Sequence, residues 1–463
     1  MYDGNFDLDG YYRDGHHFSE TELVLKILLN IVLNALTLVA TCQVFAAVTF
    51  SDVKVWLDEY AQAPSDGLAP GNYDRARLQD LNAYIAPGFI ESFDFPELDI
   101  EIEETRSHAP HQSFQEATAL YADQATINED GQIEGYTAGQ PFTRQAIDAA
   151  LSGAAGLMVA WNRIYRWQYQ GYRAPETTMA NIESVLDGGA GDLVEGLVGG
   201  GHVDRYFQVF YHRVYLSKLA WLPTKGYRMD VTDSDELLYK EFMEFLAPFD
   251  VAGTKFIIER PLVHAEGEKV NSYLASERRV RRLSAKERAD HFMGTVFTFD
   301  DFEGFSGLVT DNTWELLGHK VIPAVLNSKQ AIPLSHGPIS SIPLDRWQLR
   351  PSYVLQAIPK FENHQYGRRL MFVDEETFGI GLALVFDRND ELYKAFMVVH
   401  KSSDKSEQSE LALSVPRWRS SIAINLRDNL ATVAIAGPPT EFVPMKASRV
   451  NQLFSISNLS GGR

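Results

Sequence analysis

Cysteine is almost missing from this chain of 463 residues: the single one is Cys42. A disulfide framework and a cysteine-built zinc site within one chain are both excluded. Positive charge is scarce as well. Lys and Arg number 42 against 62 Asp and Glu, a formal charge of −20. So acidic a surface repels phosphate backbones, which excludes nucleic acid as a partner of the whole chain. There is no HExxH motif. The glycine-rich stretch Asp187–Gly201 has neither phosphate-loop nor dinucleotide spacing, because Gly196 is followed by Leu197 rather than lysine. It reads as a flexible surface loop. Gly304-Phe305-Ser306-Gly307 lacks the spacing of a nucleophile elbow. His108 and His111 would supply only two ligands, so they read as surface residues rather than a metal site. No cofactor and no metal are expected.

What is present is ordinary for a globular protein: 45% apolar and 22% charged residues. The length exceeds the roughly 250–300 residues that one core usually supports, so one large decorated domain or two are expected. From Ile27 to Ser51 no residue is charged, Lys26 precedes the run, and Ala46 and Ala47 close it. Residues 26–47 therefore read as a secretory signal peptide. A retained anchor is the rival, since a span needs about 20 apolar residues, but Asn30, Asn34, Thr37, Thr41 and Gln43 dilute this run. Residues 1–25 carry acid where a leader carries base, and no methionine separates Met1 from Met158. They read as a preface ahead of a true start near Val24 or Leu25. Val39-Ala40-Thr41-Cys42 resembles a lipobox, with Thr41 departing from the usual small residue, so Cys42 is a lipidation candidate. Cleavage after Ala46 or Ala47 is the alternative. Either outcome leaves no free thiol, which suits an oxidising periplasm.

Residues 48–107 read as a helical lead-in interrupted by Pro64, Pro70 and Pro87. Within it, the alternating Asp99–Glu104 fits an exposed edge strand. A helix is predicted over Asp235–Ala247, because Leu238, Phe242, Phe245 and Phe249 step by four, three and four. Ser234 would cap it and Pro248 end it. Beyond that point the period is two. Lys255–Arg260 is a strand. In Arg346–Lys360, Trp347, Leu349, Tyr353, Leu355 and Ala357 share one face, opposite Gln348, Arg350, Ser352 and Gln356, which predicts a half-buried strand bulged at Pro351. In Phe378–Phe386 the bulky face holds Phe378, Ile380, Leu382, Leu384 and Phe386. The other holds only Gly379, Gly381, Ala383 and Val385. So bare a face lets a helix, a sheet or an apolar ligand approach closely, or its glycines simply permit strong curvature of the sheet. Glu391–His400 returns as a further strand. The fold class is therefore α+β, with a large curved antiparallel sheet over 108–445 and a tail at 446–463.

Two charged groupings stand out. Asp300, Asp301 and Glu303, and separately Asp374, Glu375 and Glu376, are carboxylates close enough to divide acid and base roles, although turns hold carboxylates for structural reasons too. Arg278, Arg279, Arg281 and Arg282 form a basic run that would grip head groups or an acidic partner, or pair with neighbouring acidic strands.

Several segments occur in a characteristic order. They are Gly139–Phe142, Ala160–Asn162, NSYLASERRVRRLS (271–284), FDDFEGFSG (299–307), WELLGHKVIPAVLNS (314–328), DRWQLRPSYVLQAIPK (345–360) and HQYGRRLMFVDEETF (364–378). Together they resemble the bacterial family called domain of unknown function 1329, across roughly residues 108–400. The resemblance implies an exported protein of Gram-negative bacteria. It implies a LolA/LolB-like half-open barrel, wrapped around helices and enclosing an apolar cavity. It also implies partners in an inner-membrane efflux-type transporter and an outer-membrane protein, and it brings no catalytic residues. Ala275-Ser276-Glu277 stands where members have a Pro-Gly turn, and Leu326 where an aromatic is common, so the chain reads as a divergent member.

The leading expectation is a non-enzymatic carrier of a lipid or other hydrophobic ligand, periplasmic or attached to the outer membrane. Trp161, Trp167, Phe302, Phe305, Trp314, Trp347, Phe378 and Leu382 are the candidates for lining its cavity or filling a core. A surface module with a solid core, docked through the arginines, is the second expectation. A hydrolase using Asp300, Asp301 or Glu375 is the third. An interior above about 300 Å³ favours the carrier.

Overall fold

The computed structural model describes residues 47–61, 67–184, 191, 193–283, 290–402, 415–438 and 445–461. Cys42, the preface 1–25 and most of the leader-like run lie outside the described residues. The chain divides into two units, Met1–Ala47 and Val48–Arg463, and the fold belongs to the second. No helix among the described residues is long and apolar enough to cross a membrane.

Period-two sequence yields 19 strands. They are β1 (Gly71–Asp74), β2 (Asp99–Glu103), β3 (Thr126–Ile127), β4 (Ile133–Glu134), β5 (Gly171–Glu183), β6 (His202–Tyr215), β7 (Leu237–Ala247), β8 (Lys255–Pro261), β9 (Lys269–Leu274), β10 (Arg279–Leu283), β11 (Asn312–Ala324), β12 (Ser335–His336), β13 (Ile342–Pro343), β14 (Arg346–Pro359), β15 (Arg368–Asp374), β16 (Ile380–Phe386), β17 (Leu392–Ser402), β18 (Pro416–Asn425) and β19 (Leu430–Ala436). The helices are α1 (Phe50–Glu59), α2 (Gln112–Tyr121), α3 (Arg144–Ala149), α4 (Ser152–Ile164), α5 (Ala447–Leu453) and α6 (Ile456–Ser460).

Fifteen strands make one open sheet. Two antiparallel meanders, β5 to β10 and β14 to β19, meet where β19 pairs with β5, Val433 opposite Ala180. One edge of β14 is shared. Its first residues pair there with β2 in parallel and Ser352–Ala357 with β15 antiparallel, while β11 runs antiparallel along the opposite edge. Turn chemistry fixes the hairpins. Between β16 and β17, Asp387 Oδ1 accepts from the N–H groups of Asn389 at 2.8 Å and Glu391 at 3.1 Å, while Asp390 takes a φ of 61°.

Both faces of the sheet are buried through the second meander, whereas β10 is exposed. The outer face packs under residues 48–102, through Val53, Trp56, Tyr73, Phe89 and Phe93, against Leu370, Phe372, Leu384, Phe386 and Ile422. The inner face meets α4 and an irregular segment, 292–309. Helix α4 lies so close to β11 that a Cβ on Gly156 would stand 2.7 Å from the Glu315 backbone nitrogen.

Several expectations change. Residues 235–247 are not a helix, because β7 pairs with β6 and β8 along its length. A strand buried on both faces satisfies a helical stripe as readily as a strand pattern. Ser234 Oγ donates to the Val231 carbonyl at 2.9 Å instead of capping, and Phe249, past Pro248, is 98% exposed. Asp99–Glu103 is a strand with Ile100 and Ile102 buried, but it lies between β1 and β14 rather than at an edge. The β14 strand is not half-buried. Gln348, Arg350, Ser352 and Gln356 are all buried, because the outer face carries a second layer. Tyr353, Leu355 and Ala357 join the inner cluster, while Trp347 and Leu349, beyond Pro351, join the outer.

The faces of β16 are also exchanged. A register shift sets Val373 opposite Ile380 and Phe372 opposite Leu382. Phe378 and Ile380 therefore face inward with Ala383 and Val385, and Leu382, Leu384 and Phe386 face outward. The described part of the glycine-rich stretch, 193–201, is packed rather than free, with Val194 and Leu197 buried. It runs against 335–337 through three backbone bonds: Val198 N to Ser335 O, Ser335 N to Gly196 O and Gly200 N to Gly337 O, at 2.9, 2.8 and 2.9 Å.

Two glycines of α4 should respond with opposite sign. Gly156→Ala forces the helix off β11 and should cost about 1–3 kcal/mol. Gly153→Ala meets only the Trp314 carbonyl at 3.7 Å and should gain up to about 1 kcal/mol of helix propensity. Urea midpoints of the two variants check this.

Candidate functional site

The inner face of the second meander sets small side chains, Ala383, Ala423 and Ala434, among larger ones such as Met371, Val373, Val385 and Phe396. Segment 292–309 fills the room they leave with Phe292, Phe297, Phe299 and Phe305, all buried, and with Phe302, half-buried. These rings pack on one another and on the strands. Phe292 and Phe299 are 4.8 Å apart, Phe297 and Phe302 are 5.9 Å apart and stacked, and Phe305 meets Trp314 edge-on at 5.3 Å.

A segment without a ladder must find other partners for its peptide groups, and side chains of the sheet and of α4 provide them. Lys394 Nζ donates to Val296 O at 2.9 Å, and Thr432 Oγ1 accepts from Val296 N at 2.8 Å. Arg369 donates to Gly304 O, and Arg260 to Gly307 O at 2.9 Å and to Ser306 O. His264 Nδ1 accepts from Val309 N at 2.9 Å. Asp301 is fully buried. It accepts from Thr298 N at 2.6 Å, Tyr366 OH at 2.8 Å and Arg369. Burial would raise its carboxyl, but Arg369 and Lys394 outweigh that and hold it below the usual aspartate range. Burial lowers the Lys394 ammonium to about 8.

Between this segment and β5 to β8 a cavity of about 60 Å³ remains. Met179, Val209, Met243, Ile258, Phe299, Phe302 and Ala434 line most of it, and Arg213, Glu241 and Glu303 close one end. Beyond that end lies a second void of about 20 Å³, lined by Arg166, Gln168, His400 and Arg417. The two share Tyr172, Tyr211, Arg213, Glu303 and Trp418 as a common wall. Glu303 sits in that wall with a φ of 53°. Its Oε2 accepts from Arg166 at 2.5 Å and Arg163 at 3.2 Å, and its Oε1 from Arg213 at 3.2 Å. Burial would raise the Glu303 carboxyl, yet Arg213 and Arg166 hold it below the ordinary glutamate range. Arg213 also donates to Glu241 at 2.6 Å, where Tyr211 OH donates at the same distance. Burial lowers the His400 imidazole to about 4, against the opposing pull of Glu303.

Of the residues expected to line a cavity, Phe302 does so. Trp167 borders a separate void of about 20 Å³ and stacks on His111, which caps α2. Trp161 is fully buried and donates to Gly131 O at 2.9 Å. Phe305, Trp314 and Phe378 fill the inner core, while Trp347 and Leu382 belong to the outer one. His108 is buried, its Nδ1 3.0 Å from Ser402 Oγ, and not at the surface. No metal-holding group of side chains occurs among the described residues.

The second carboxylate cluster is also tied up. Asp374 and Glu376 pair with Arg350 at 2.7 and 3.0 Å, and Glu375 with Arg144 at 2.8 Å and His319 at 2.7 Å. Arg279, Arg281 and Arg282 are exposed on β10, the terminal strand, with Arg278 in the turn before it and Arg281 paired to Glu277. They border none of these cavities. Arg213, Glu241 and Met243 were not expected. Reading 235–247 as a helix hid the last two. An arginine set between the aromatic residues Tyr211 and Tyr215 on one face of the run Val203–Tyr215 was the available signal for the first.

A larger cleft of about 470 Å³ has a mixed lining, with Glu176, Thr178, Glu195 and Gln208 beside Leu193, Val194, Leu246, Ile332 and Ile435.

The sequence profile of the family described as "Protein of unknown function (DUF1329)" matches residues 74–435. Among solved structures, a DUF1329 family protein from Desulfovibrio piger is similar at 17% identity and a TM-score of 0.44, covering 67% of this chain and 100% of its own. A LolA superfamily protein from Nitrosomonas europaea is similar at 12% identity and a TM-score of 0.37, with the same coverage. No curated protein matches the chain.

Two outcomes follow from the buried charges. Arg369→Met strips Asp301 of its cation and should cost about 3–5 kcal/mol in urea unfolding, with Asp301→Asn added to it recovering part of the loss. The second concerns pH. His400 stays neutral down to about 4 when folded, but takes up a proton near 6.5 when unfolded. The unfolded state therefore binds more protons between those values, and stability falls as pH drops through that window. At pH 5 the His400 share is about 2 kcal/mol. His400→Gln should lose correspondingly less stability between pH 7 and pH 5.

Proposed function

This chain belongs to the DUF1329 family, and from that premise we propose that it is a non-enzymatic carrier of a hydrophobic or amphiphilic small molecule. The observation that carries the reading is an apolar inner sheet face, covered by the chain's own phenylalanines and leaving a mostly apolar cavity beside them. The ligand takes the place of part of segment 292–309. Volume requires this, because about 60 Å³ falls well short of the roughly 300 Å³ at which ligand pockets begin.

Magnitudes favour an exchange. A 16-carbon tail gains about 13 kcal/mol on leaving water, at about 0.8 kcal/mol per methylene. Four buried phenylalanines at about 1.5–3 kcal/mol each represent about 6–12 kcal/mol, to which half-buried Phe302 adds. Tail and phenylalanines are thus near parity, so loading and release can both proceed. Asp301, Glu303, Asp374 and Glu376 each have an arginine partner, which argues for ligand holding rather than hydrolysis. The leader-like run 27–51 supports an exported, periplasmic protein, with attachment through Cys42 as one route to the outer membrane. The exposed arginines of β10 suit docking to an acidic surface of an envelope transporter or its outer-membrane counterpart.

The test is equilibrium titration of the delipidated protein with a fluorescent fatty acid. Saturable binding of one probe per chain is expected. Ala434→Leu, which fills the cavity, should weaken binding at least about tenfold while the melting temperature holds within a few degrees. Absence of saturable binding to the unsubstituted protein would refute the carrier reading.

A further inference from the structure

We infer that Glu303 stands in for the acidic head group of the ligand, so that the cavity takes an amphiphile with one anionic end. The inference rests on the carrier reading and names its ligand class. Glu303 lies in the wall between the apolar cavity and the charged void, at the point where the head group of a tail-down amphiphile would lie. Its carboxylate engages three arginines from two elements, Arg163 and Arg166 at the end of α4 and Arg213 on β6, with side chains 6, 12 and 10% exposed. Three cations face two carboxylates here, Glu303 and Glu241, so the site holds positive charge in excess even when occupied by the chain itself.

A structural ion pair needs one arginine. Three converging on one carboxylate make an anion site, since desolvated guanidinium groups bind carboxylate or phosphate by charge-assisted bonds. The neighbouring His400 is buried, and its Nδ1 has no hydrogen-bond partner among the described residues, leaving a spare polar contact for a head group. Glu303 also sits on the one element that must move. It belongs to segment 292–309, next to Phe302, and has a left-handed backbone that costs energy in a residue with a side chain. Displacing this stretch removes phenylalanine and carboxylate together. An amphiphile returns both in one molecule, tail for ring and acid for acid. A neutral lipid would return only the tail and leave buried Arg163 and Arg166 without the Glu303 carboxylate and Arg213 with Glu241 alone, a penalty that selects against it.

The experiment compares pyrene-labelled dodecanoic acid with its methyl ester on the full chain, by fluorescence titration. The acid should bind at least about tenfold tighter than the ester. Glu303→Gln removes the internal competitor and should tighten the acid about tenfold without tightening the ester. Arg166→Gln, at the half-buried rim where the fold is least at risk, should erase the preference between the two probes. Acid and ester binding equally would overturn the head-group assignment and leave the carrier reading standing. Binding of neither probe would overturn both. A Glu303→Gln protein that folds, by its melting curve, yet binds the acid no better would overturn the assignment alone. If that variant does not fold, a preference for the acid that survives Arg166→Gln would do the same.

Discussion

The structure depends on one requirement: an irregular length of chain lies against an apolar sheet face, and its peptide groups must still be hydrogen-bonded. An unpaired buried carbonyl or amide costs about 1–3 kcal/mol. Segment 292–309 makes no ladder, so each of its anchor points is a side chain from elsewhere. Lys394 on β17, Arg369 on β15, Arg260 on β8 and Arg163 on α4 reach its carbonyls, and Thr432 and His264 receive its amides. That explains why a protein with so few positive charges buries these. They act as cross-links between strands that are far apart in the sheet.

The same arrangement separates fixed from exchangeable parts. At the Asp301 end the segment is held by an aspartate, an arginine, a tyrosine and a lysine that satisfy one another completely. At the Glu303 end Phe302 is half-buried, a cavity adjoins it, and the Glu303 backbone is left-handed. A ligand-responsive element needs this gradient. A segment fixed throughout would never yield, and one loose throughout would leave the sheet face wet.

Much of this was legible, for physical reasons that differ by residue. The alternation of β14, β17 and the hairpin at Asp387 showed in the sequence because side-chain direction reverses at every residue. The bare face in Phe378–Phe386 was legible as a space needing an occupant, but not whose. At Ala383 and Val385 the occupant is FDDFEGFSG, which reads as a turn because its side chains have no period, whereas Gly381 lies against Ala324 of β11. Two errors share one cause. Residues 235–247 and the polar side of β14 were misjudged because both strands are covered on two faces, β14 under residues 48–102 and β7 within the cluster that also holds Val450, Phe454 and Leu459, and nothing local to a strand records what lies above it. The shift at Ile380 was equally hidden, since one extra residue reverses every face after it. Arg213 is the instructive omission: a charge on the apolar side of a strand is out of place, and such misplacement marks a site.

The junction of β5 with β19 has a consequence for how the molecule is made. These neighbours lie on opposite sides of the sequence, and the sheet is continuous only once residues 430–436 reach 177–183. As synthesis proceeds, β5 to β10 can assemble into a hairpin array by themselves. The outer rim of β5 then stays open, a greasy edge with free amides and carbonyls, until the last strand emerges. Strand edges of that kind recruit other strands, and closure over so long a separation is slow. The newborn chain therefore passes through an interval of vulnerability to self-association, and holdase protection of its first half should govern its yield more than the stability of the finished sheet does.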